Sequence, residues 1–265
     1  MTNTEQATRA RQFASLHKQG DPLLLPNAWD AASAAVIAAA GASAIATTSA
    51  GVAWSLGVPD AADLGAERVA AVTARIVNVV PVPVSADIEA GYDDIAATVT
   101  AVVQAGAVGV NVEDRGFEPA AQAERLTAAR AAADRLGVPL WINARTDLFL
   151  SGGYGPDDKG IAAALDRAEI YARAGADSLF VPGLVDPGAV AEVAAGPLPV
   201  AVMVWPGAPS VAELTEAGVV RISLGSAIAQ AAYAVAAQAA TEMLTQGSYN
   251  TCADGLPYGT LNGAF

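Results

Sequence analysis

The sequence predicts a (β/α)8 barrel. Eight short runs rich in β-branched residues alternate with alanine-rich stretches of helical length, a pattern typical of parallel βα units. Four helix ends share one join, in which a glycine follows the helix and an apolar strand comes next; these glycines are Gly41, Gly106, Gly175 and Gly218. The 265 residues are enough for eight such units.

Each element can be assigned in chain order, and the whole chain, 1–265, is expected to form one domain. The predicted strands are 23–26, 44–48, 82–88, 108–113, 139–145, 177–181, 198–204 and 219–224. The predicted helices are 29–40, 64–78, 93–105, 120–136, 157–174, 186–195, 209–217 and 226–246, with an amphipathic helix over 4–18 and an extension over 247–265. A doubly wound open sheet is the rival fold, but the glycine-rich phosphate loop that such sheets usually have early in the chain is absent.

Composition excludes several classes of function. The chain has 14 Lys and Arg against 27 Asp and Glu, and the net charge of −13 argues against binding nucleic acid or an anionic membrane. Cys252 and His17 are the only residues of their types, so an intrachain disulfide and a cysteine-based zinc site are excluded. His17 is expected to be solvated or to cap a helix. With no targeting signal and no apolar run long enough to span a bilayer, we expect a cytoplasmic protein.

Polar residues follow three successive predicted strands, where the active sites of (β/α)8 barrels lie. Side chains two apart on a strand share a face, and the residues between these polar positions are small or apolar. The alternation therefore directs one set of polar side chains towards the same rim, namely Ser85, Asp87, Glu89, Asn111, Glu113, Asn143 and Arg145.

Carboxylates that converge without a partner repel one another, and a divalent cation relieves this conflict. Oxygen ligands without histidine or cysteine favour Mg²⁺ or Mn²⁺ over zinc. We therefore predict a metal site formed by Asp87, Glu89 and Glu113, with Arg145 binding a substrate carboxylate bidentately. The competing interpretation is that these acids are ordinary helix caps or salt-bridge partners. A glycine-rich segment over 151–155 is either a lid or a plain connecting loop.

Five segments of the chain resemble the isocitrate lyase/phosphoenolpyruvate mutase superfamily. The similarity spans about residues 22–245. Its motifs are PNAWD at 26–30, TTSAG at 47–51 followed by SLGVPD at 55–60, DIEAGY at 87–92, VED at 112–114 and NAR at 143–145. The resemblance implies a (β/α)8 barrel whose last helix is swapped between subunits of a homodimer or homotetramer. It also implies Mg²⁺ and a small 2-oxo-acid, or its enolate, in the site.

The resemblance also implies a role for individual residues. Asp87 corresponds to the principal metal ligand, and Glu89 and Glu113 to further acids of the metal site, in contact directly or through water. Asp60 corresponds to an acid near the metal and the substrate. The turn that holds the substrate carboxylate corresponds to Thr48, Ser49 and Ala50, and the arginine that binds this carboxylate corresponds to Arg145.

The chain departs from the superfamily in the segment that supplies the proton donor. The lyases have a Lys-Lys-Cys-Gly-His-type loop after the fourth strand, whereas residues 115–124 contain no lysine, cysteine or histidine. The Lys-x-x-Asn-Ser motif of the phosphonomutases is also missing. The expected function is a Mg²⁺-dependent C–C bond lyase or decarboxylase acting on a small 2-oxo- or hydroxy-acid, with water, Tyr92 or Asp60 moving the proton. The alternatives are a phosphonomutase or phosphonate hydrolase, and a carboxylate-binding protein without turnover.

Overall fold

The computed structural model describes residues 2–150 and 153–265, so two positions of the candidate lid, 151 and 152, lie outside the described residues. Nine parallel strands form one sheet that closes into a barrel. The strands are β1 (Leu23–Leu25), β2 (Asn27–Ala28), β3 (Ile45–Thr47), β4 (Val84–Asp87), β5 (Gly109–Glu113), β6 (Trp141–Arg145), β7 (Ser178–Phe180), β8 (Val200–Met203) and β9 (Arg221–Ser223).

Helices alternate with these strands and surround the barrel. They are α1 (Asn3–Ser15), α2 (Ala31–Ala39), α3 (Ser49–Ser55), α4 (Gly65–Val79), α5 (Ile95–Gln104), α6 (Pro119–Arg135), α7 (Asp158–Arg173), α8 (Pro187–Ala194), α9 (Val211–Glu216), α10 (Ala227–Gln246) and α11 (Tyr258–Asn262), with a 3-10 turn at Asn250–Cys252. In the described chain, no helix combines the length and the apolar character that crossing a bilayer requires. The fold confirms the predicted (β/α)8 barrel.

Two adjacent segments, β1 and β2, together form the first barrel strand. β1 pairs with β9 through Leu23 and Arg221, whereas β2 pairs with β3 through Asn27 and Ala46. Pro26 separates the two segments because it has no N–H to donate to a neighbouring strand. The first strand therefore joins both ends of the sheet, and nine short strands fill eight barrel positions.

Local sequence signals explain where the helices begin and end. Asp30, Asp94 and Asp186 each accept a backbone N–H in the first turn of the helix that follows. The four predicted cap glycines all have left-handed φ values, between +86° and +103°. The sequence did not indicate α3, because its residues were interpreted as a substrate-binding turn rather than as a helix.

α1 and α10 pack differently from the other long helices. α1 closes the N-terminal end of the barrel, where Phe13 is fully buried and His17 stacks on Trp141 with 4.0 Å between ring centroids. His17 Nδ1 also lies 2.9 Å from the Phe13 carbonyl oxygen, so the side chain caps the helix, which is one of the two predicted roles. The other predicted role was wrong, because the ring is largely enclosed rather than solvated. α10 extends away from the barrel and buries only Ala229.

Candidate active site

A cavity of about 160 Å³ opens at the carboxyl ends of the strands. Six predicted site residues line it, namely Thr48, Ser49, Ala50, Asp60, Asp87 and Arg145. They come from the segment that follows β3, from the end of β4 and from the end of β6, so only closure of the barrel brings them together. The remaining lining residues are Asn27, Asn111, Phe180, Met203, Ser223, Gly225 and Ser226.

Asp87 ends β4 and presents its carboxylate to this cavity. The backbone N–H of Glu89 donates to Asp87 Oδ1 at 3.0 Å, and the Ser49 hydroxyl lies 3.5 Å from Oδ2. Within the described residues Asp87 forms no ion pair. Desolvation raises the pKa of Asp87, against a smaller lowering effect of Arg145. The carboxylate is therefore enclosed, and no Lys or Arg side chain of the described residues pairs with it directly.

Arg145 lies across the cavity and is held by two acids. Its guanidinium contacts Glu113 Oε2 at 3.0 Å through NH1 and Asp147 Oδ1 at 2.6 Å through Nε. Burial lowers its pKa, but the carboxylates of Glu113, Asp87 and Asp147 outweigh burial and raise it. Arg145 is therefore a fixed positive charge that lines the cavity, as the binding of a carboxylate requires.

Glu89 and Glu113, both predicted as metal ligands, do not line the cavity. Arg115 pairs with Glu89 through NH2 and with Glu113 Oε1 through Nε at 2.6 Å. Desolvation raises the pKa of Glu89, against the lowering effects of Tyr92 and Arg115. Both glutamates therefore have cationic partners in this structure. Their contact with a metal, direct or through water, stays a prediction.

Tyr92 contacts Glu89 rather than the cavity. Its hydroxyl donates to Glu89 Oε1 at 3.0 Å, and burial, followed by the charge of Glu89, raises its pKa. Glu89, Tyr92 and Arg115 also adopt left-handed φ values of +51°, +53° and +45°. Such conformations are uncommon for residues other than glycine and concentrate at functional sites. The backbone is therefore strained around the two acid-bearing turns.

The donor chemistry of the cavity fits Mg²⁺ or Mn²⁺. Among residues 2–150 and 153–265, no three His, Cys, Asp or Glu side chains lie together in a metal-binding arrangement. Mg²⁺ does not need such a cluster, because it keeps several waters and binds through one or two carboxylates. Asp87, which lacks an ion-pair partner in the described chain, is the natural ligand, and Asp60 lines the same cavity.

Several lining residues were outside the predicted site. Asn27 is fixed by two hydrogen bonds, since its Nδ2 donates to the Thr47 carbonyl at 3.2 Å and its Oδ1 accepts the Leu224 N–H at 3.0 Å. Strand alternation pointed to Asn111 as an inward residue. Phe180 lies in an apolar strand and has no local signal that distinguishes a cavity wall from a core position.

The comparisons with known proteins agree with this geometry. Residues 13–244 match the family model described as phosphoenolpyruvate phosphomutase. An uncharacterised protein of Mycobacterium tuberculosis is 37% identical over 232 residues, which cover 86% of this chain and 87% of that protein. The 2-methylisocitrate lyase of Salmonella typhimurium is 34% identical over 183 residues, which cover 63% of this chain and 59% of the lyase.

Solved structures give the same result. A Burkholderia cenocepacia protein assigned provisionally as a phosphonomutase is 40% identical, with a TM-score of 0.82, and the match covers 92% of this chain and 100% of that one. The matched family model spans almost the whole barrel, including the cavity. The chain therefore belongs to the phosphoenolpyruvate phosphomutase family, within the superfamily of lyases and mutases that also contains the isocitrate lyases.

Proposed function

We propose that this protein is a Mg²⁺-dependent lyase that cleaves a C–C bond, or removes CO₂, from a small 2-oxo- or hydroxy-acid through an enolate. The observation that supports it best is the pairing of unlike charges in one cavity. Asp87 has no cationic partner in the described chain, and the Arg145 guanidinium lines the same cavity. This arrangement suits a ligand that combines a divalent cation with a carboxylate.

The proposed chemistry divides between the two charges. When bound by Asp87, Mg²⁺ or Mn²⁺ would supply positive charge that lowers the cost of forming an enolate. Arg145 binds the substrate carboxylate, and the turn Thr48, Ser49 and Ala50 orients it through hydroxyl and backbone N–H groups. The cavity of about 160 Å³ limits the substrate to a few carbon atoms.

Asp60 is proposed to move the proton, directly or through water. It lines the cavity, whereas the Tyr92 hydroxyl is bound to Glu89. The segment over 115–124 contains no lysine, cysteine or histidine that could replace it. Asp60→Asn should therefore lower kcat more than it raises KM, whereas an equal effect on both constants would contradict a role in proton transfer.

The test combines binding and turnover. Oxalate mimics an enolate, so we expect Mg²⁺ and oxalate together to raise the melting temperature more than either does alone. Release of pyruvate or CO₂ from a panel of small 2-oxo- and hydroxy-acids then identifies the substrate. Oxalate binding without any turnover would favour a carboxylate-binding protein, and absence of both would overturn the proposal.

A phosphonomutase or phosphonate hydrolase is the second candidate, and the similarity to the Burkholderia protein favours it. The same cavity could accept a phosphonate in place of a carboxylate, because Arg145 binds both kinds of anion. ³¹P NMR of the enzyme with phosphonopyruvate distinguishes the two reactions. Loss of the phosphonate signal faster than any release of pyruvate from the acid panel would favour this candidate.

We further propose that α10 is exchanged between two copies of the chain in a dimer or tetramer. The helix exposes Val235, Met243 and Leu244, and an open groove of about 640 Å³ runs beside β1 and α2 as far as the first turn of α10. The groove is lined by apolar residues that include Leu16, Leu23, Ile37, Leu224 and Ile228. Light scattering should show an oligomer that Met243→Glu with Leu244→Glu dissociates, and a monomeric wild-type protein would overturn the proposal.

A further inference from the structure

Below the cavity, the interior of the barrel contains a buried chain of hydrogen bonds instead of the apolar side chains that usually fill it. Trp141 Nε1 donates to Ser178 Oγ at 2.8 Å, and Ser178 Oγ donates to Asn143 Oδ1 at 2.6 Å. Asn143 Nδ2 in turn donates to Asn111 Oδ1 at 2.9 Å. Arg221 NH2 donates to the same Asn111 oxygen at 3.0 Å. The chain therefore begins at an indole and ends at a guanidinium.

The two ends of this network determine the direction of every hydrogen bond in it. An indole N–H and a guanidinium can only donate, so neither can bind to an amide nitrogen. Arg221 therefore requires the oxygen of the Asn111 amide to face it. Because Ser178 Oγ accepts a hydrogen bond from Trp141, its own O–H is free to donate to Asn143. Both lone pairs of Asn111 Oδ1 are occupied, and only the Nδ2 group remains for other partners.

That remaining group is available to a ligand. Asn111 lines the cavity, and its Nδ2 donates no hydrogen bond within the part of the chain that the structure describes. Of the hydrogen-bonding residues in this network, Asn111 alone reaches the cavity wall. The floor of the cavity therefore presents N–H donors, which suit an acceptor oxygen of an anionic ligand.

Arg221 is an unusual residue for the interior of a barrel. It is 1% exposed, forms no ion pair among the described residues, and its NH1 group has no hydrogen-bond partner there. A buried charge without a counter-ion is costly to retain. Burial lowers the pKa of Arg221 to about 10, so the guanidinium remains charged at neutral pH. The acid with which it interacts electrostatically is Asp87. The charge of Arg221 thus acts on the cavity from below.

We propose that Asn111 is a specificity-determining donor for an oxygen of the substrate anion, and that Arg221 is the positioning residue that holds the Asn111 amide in this orientation. The inference rests on the proposed function, because it assumes that a small acid occupies the cavity. It adds a second recognition group, on the floor of the cavity, to the guanidinium of Arg145 on its wall.

The decisive variant is Asn111→Asp, which has the same shape but presents an oxygen where the amide presents N–H. The new carboxylate is a counter-ion for Arg221, so the melting temperature should be unchanged or higher. Oxalate binding in the presence of Mg²⁺, measured by calorimetry, should weaken about tenfold or more. Oxalate affinity equal to that of the wild type would overturn the inference.

Variants of Arg221 test its positioning role. Arg221→Gln should raise KM, or weaken oxalate binding, about three- to tenfold with little change in kcat, because the Asn111 amide can then rotate. Arg221→Lys keeps a donor and a charge and should recover part of the loss. Ser178→Ala is the matched control, since it breaks the far end of the network and leaves the bond from Arg221 to Asn111 intact.

The outcomes separate this inference from the proposed function. If the wild-type protein binds no oxalate and turns over no acid, the proposed function fails, and the inference that rests on it fails as well. If the wild type binds oxalate and the Asn111→Asp and Arg221→Gln variants bind it equally well, only the inference fails. A loss in Ser178→Ala as large as that in Arg221→Gln would indicate a purely structural network and would also overturn it.

Discussion

Two groups of carboxylates lie at or just beyond the ends of the neighbouring strands β4 and β5, and they differ in their partners. Asp87 faces the cavity, and in the part of the chain that the structure describes its carboxylate accepts hydrogen bonds from a backbone N–H and a serine hydroxyl. Glu89 and Glu113 are bound by Arg115, and Glu113 also by Arg145. The residue types are similar, but Asp87 ends β4 and lines the cavity, whereas Glu89 follows the strand in a left-handed conformation and pairs with Arg115.

The comparison shows that a cluster of acids in the sequence does not by itself define a metal site. An acid that already has a guanidinium partner gains less from a metal than an acid without one. Among the described residues that line the cavity, the acids without an ion-pair partner are therefore Asp87, at the end of β4, and Asp60. The predictions below test this difference between the two groups, and the first carries the largest expected effect.

Replacing Asp87 by Ala should abolish function. The variant loses the carboxylate proposed to hold Mg²⁺, and turnover should fall by about a thousandfold or more, since a metal supplies several kcal/mol of charge stabilisation. The combined Mg²⁺ and oxalate shift in melting temperature should also disappear. Asp93→Ala, at an exposed acid nearby, is the matched control and should behave like the wild type. Retention of the shift in Asp87→Ala would show that the metal binds elsewhere.

Arg145→Lys should give the next largest effect. Lysine keeps the charge but not the planar pair of donors that binds a carboxylate, so KM for the acid should rise about ten- to a hundredfold. The control is Arg68→Lys, at an exposed position on α4, which should leave KM unchanged. A variant that lowers kcat and leaves KM alone would place Arg145 in the chemical step rather than in binding.

A third prediction concerns His17, at the opposite end of the barrel. This side chain is buried in its neutral form, whereas the buried glutamates near the cavity are paired with arginines. Burial lowers its pKa from 6.5 to about 3, so the folded protein keeps it neutral while the unfolded chain protonates it between these values. Stability is therefore complete above pH 6.5 and falls as the pH drops towards 3. The contribution is about 1.4 kcal/mol per pH unit at most.

Urea denaturation at several pH values measures this contribution. His17→Phe keeps an aromatic ring against Trp141 and cannot titrate, so its free energy of unfolding should depend less on pH than that of the wild type between pH 3 and 6.5. Parallel curves for the two proteins would contradict the assignment of a neutral, buried His17.

Arg115→Gln should have the smallest effect on the cavity. It removes the cation that pairs with Glu89 and Glu113, and we expect the free energy of unfolding to fall by about 1 kcal/mol. The affinity for Mg²⁺ should change less than twofold, because Asp87 remains. A loss of metal affinity as large as that in Asp87→Ala would show that the glutamate pair and Asp87 act as one site.

The sequence by itself determined the order of elements and most of the site. The glycines after the helices and the alternation of βα units are local signals. They can therefore be recognised in the sequence without knowing which segments pack together in space. The cavity positions Asp60, Asp87 and Arg145 were recoverable because strand ends in a barrel meet at one rim. Alternation also placed Glu89 and Glu113 at this rim, but it contains no information about which cation lies nearest.

Only the tertiary structure decided how each charge is neutralised. Arg115 reaches Glu89 across 26 positions of the chain, and Arg221 reaches Asn111 across 110. In the sequence Arg221 is one polar residue inside an apolar strand, and its burial beneath the cavity follows only from closure of the barrel. Charge pairing depends on distances between segments that are far apart in the chain, whereas hydrophobic periodicity depends on residues that are close in sequence. The fold could therefore be predicted from the sequence more completely than the ion pairs of its site.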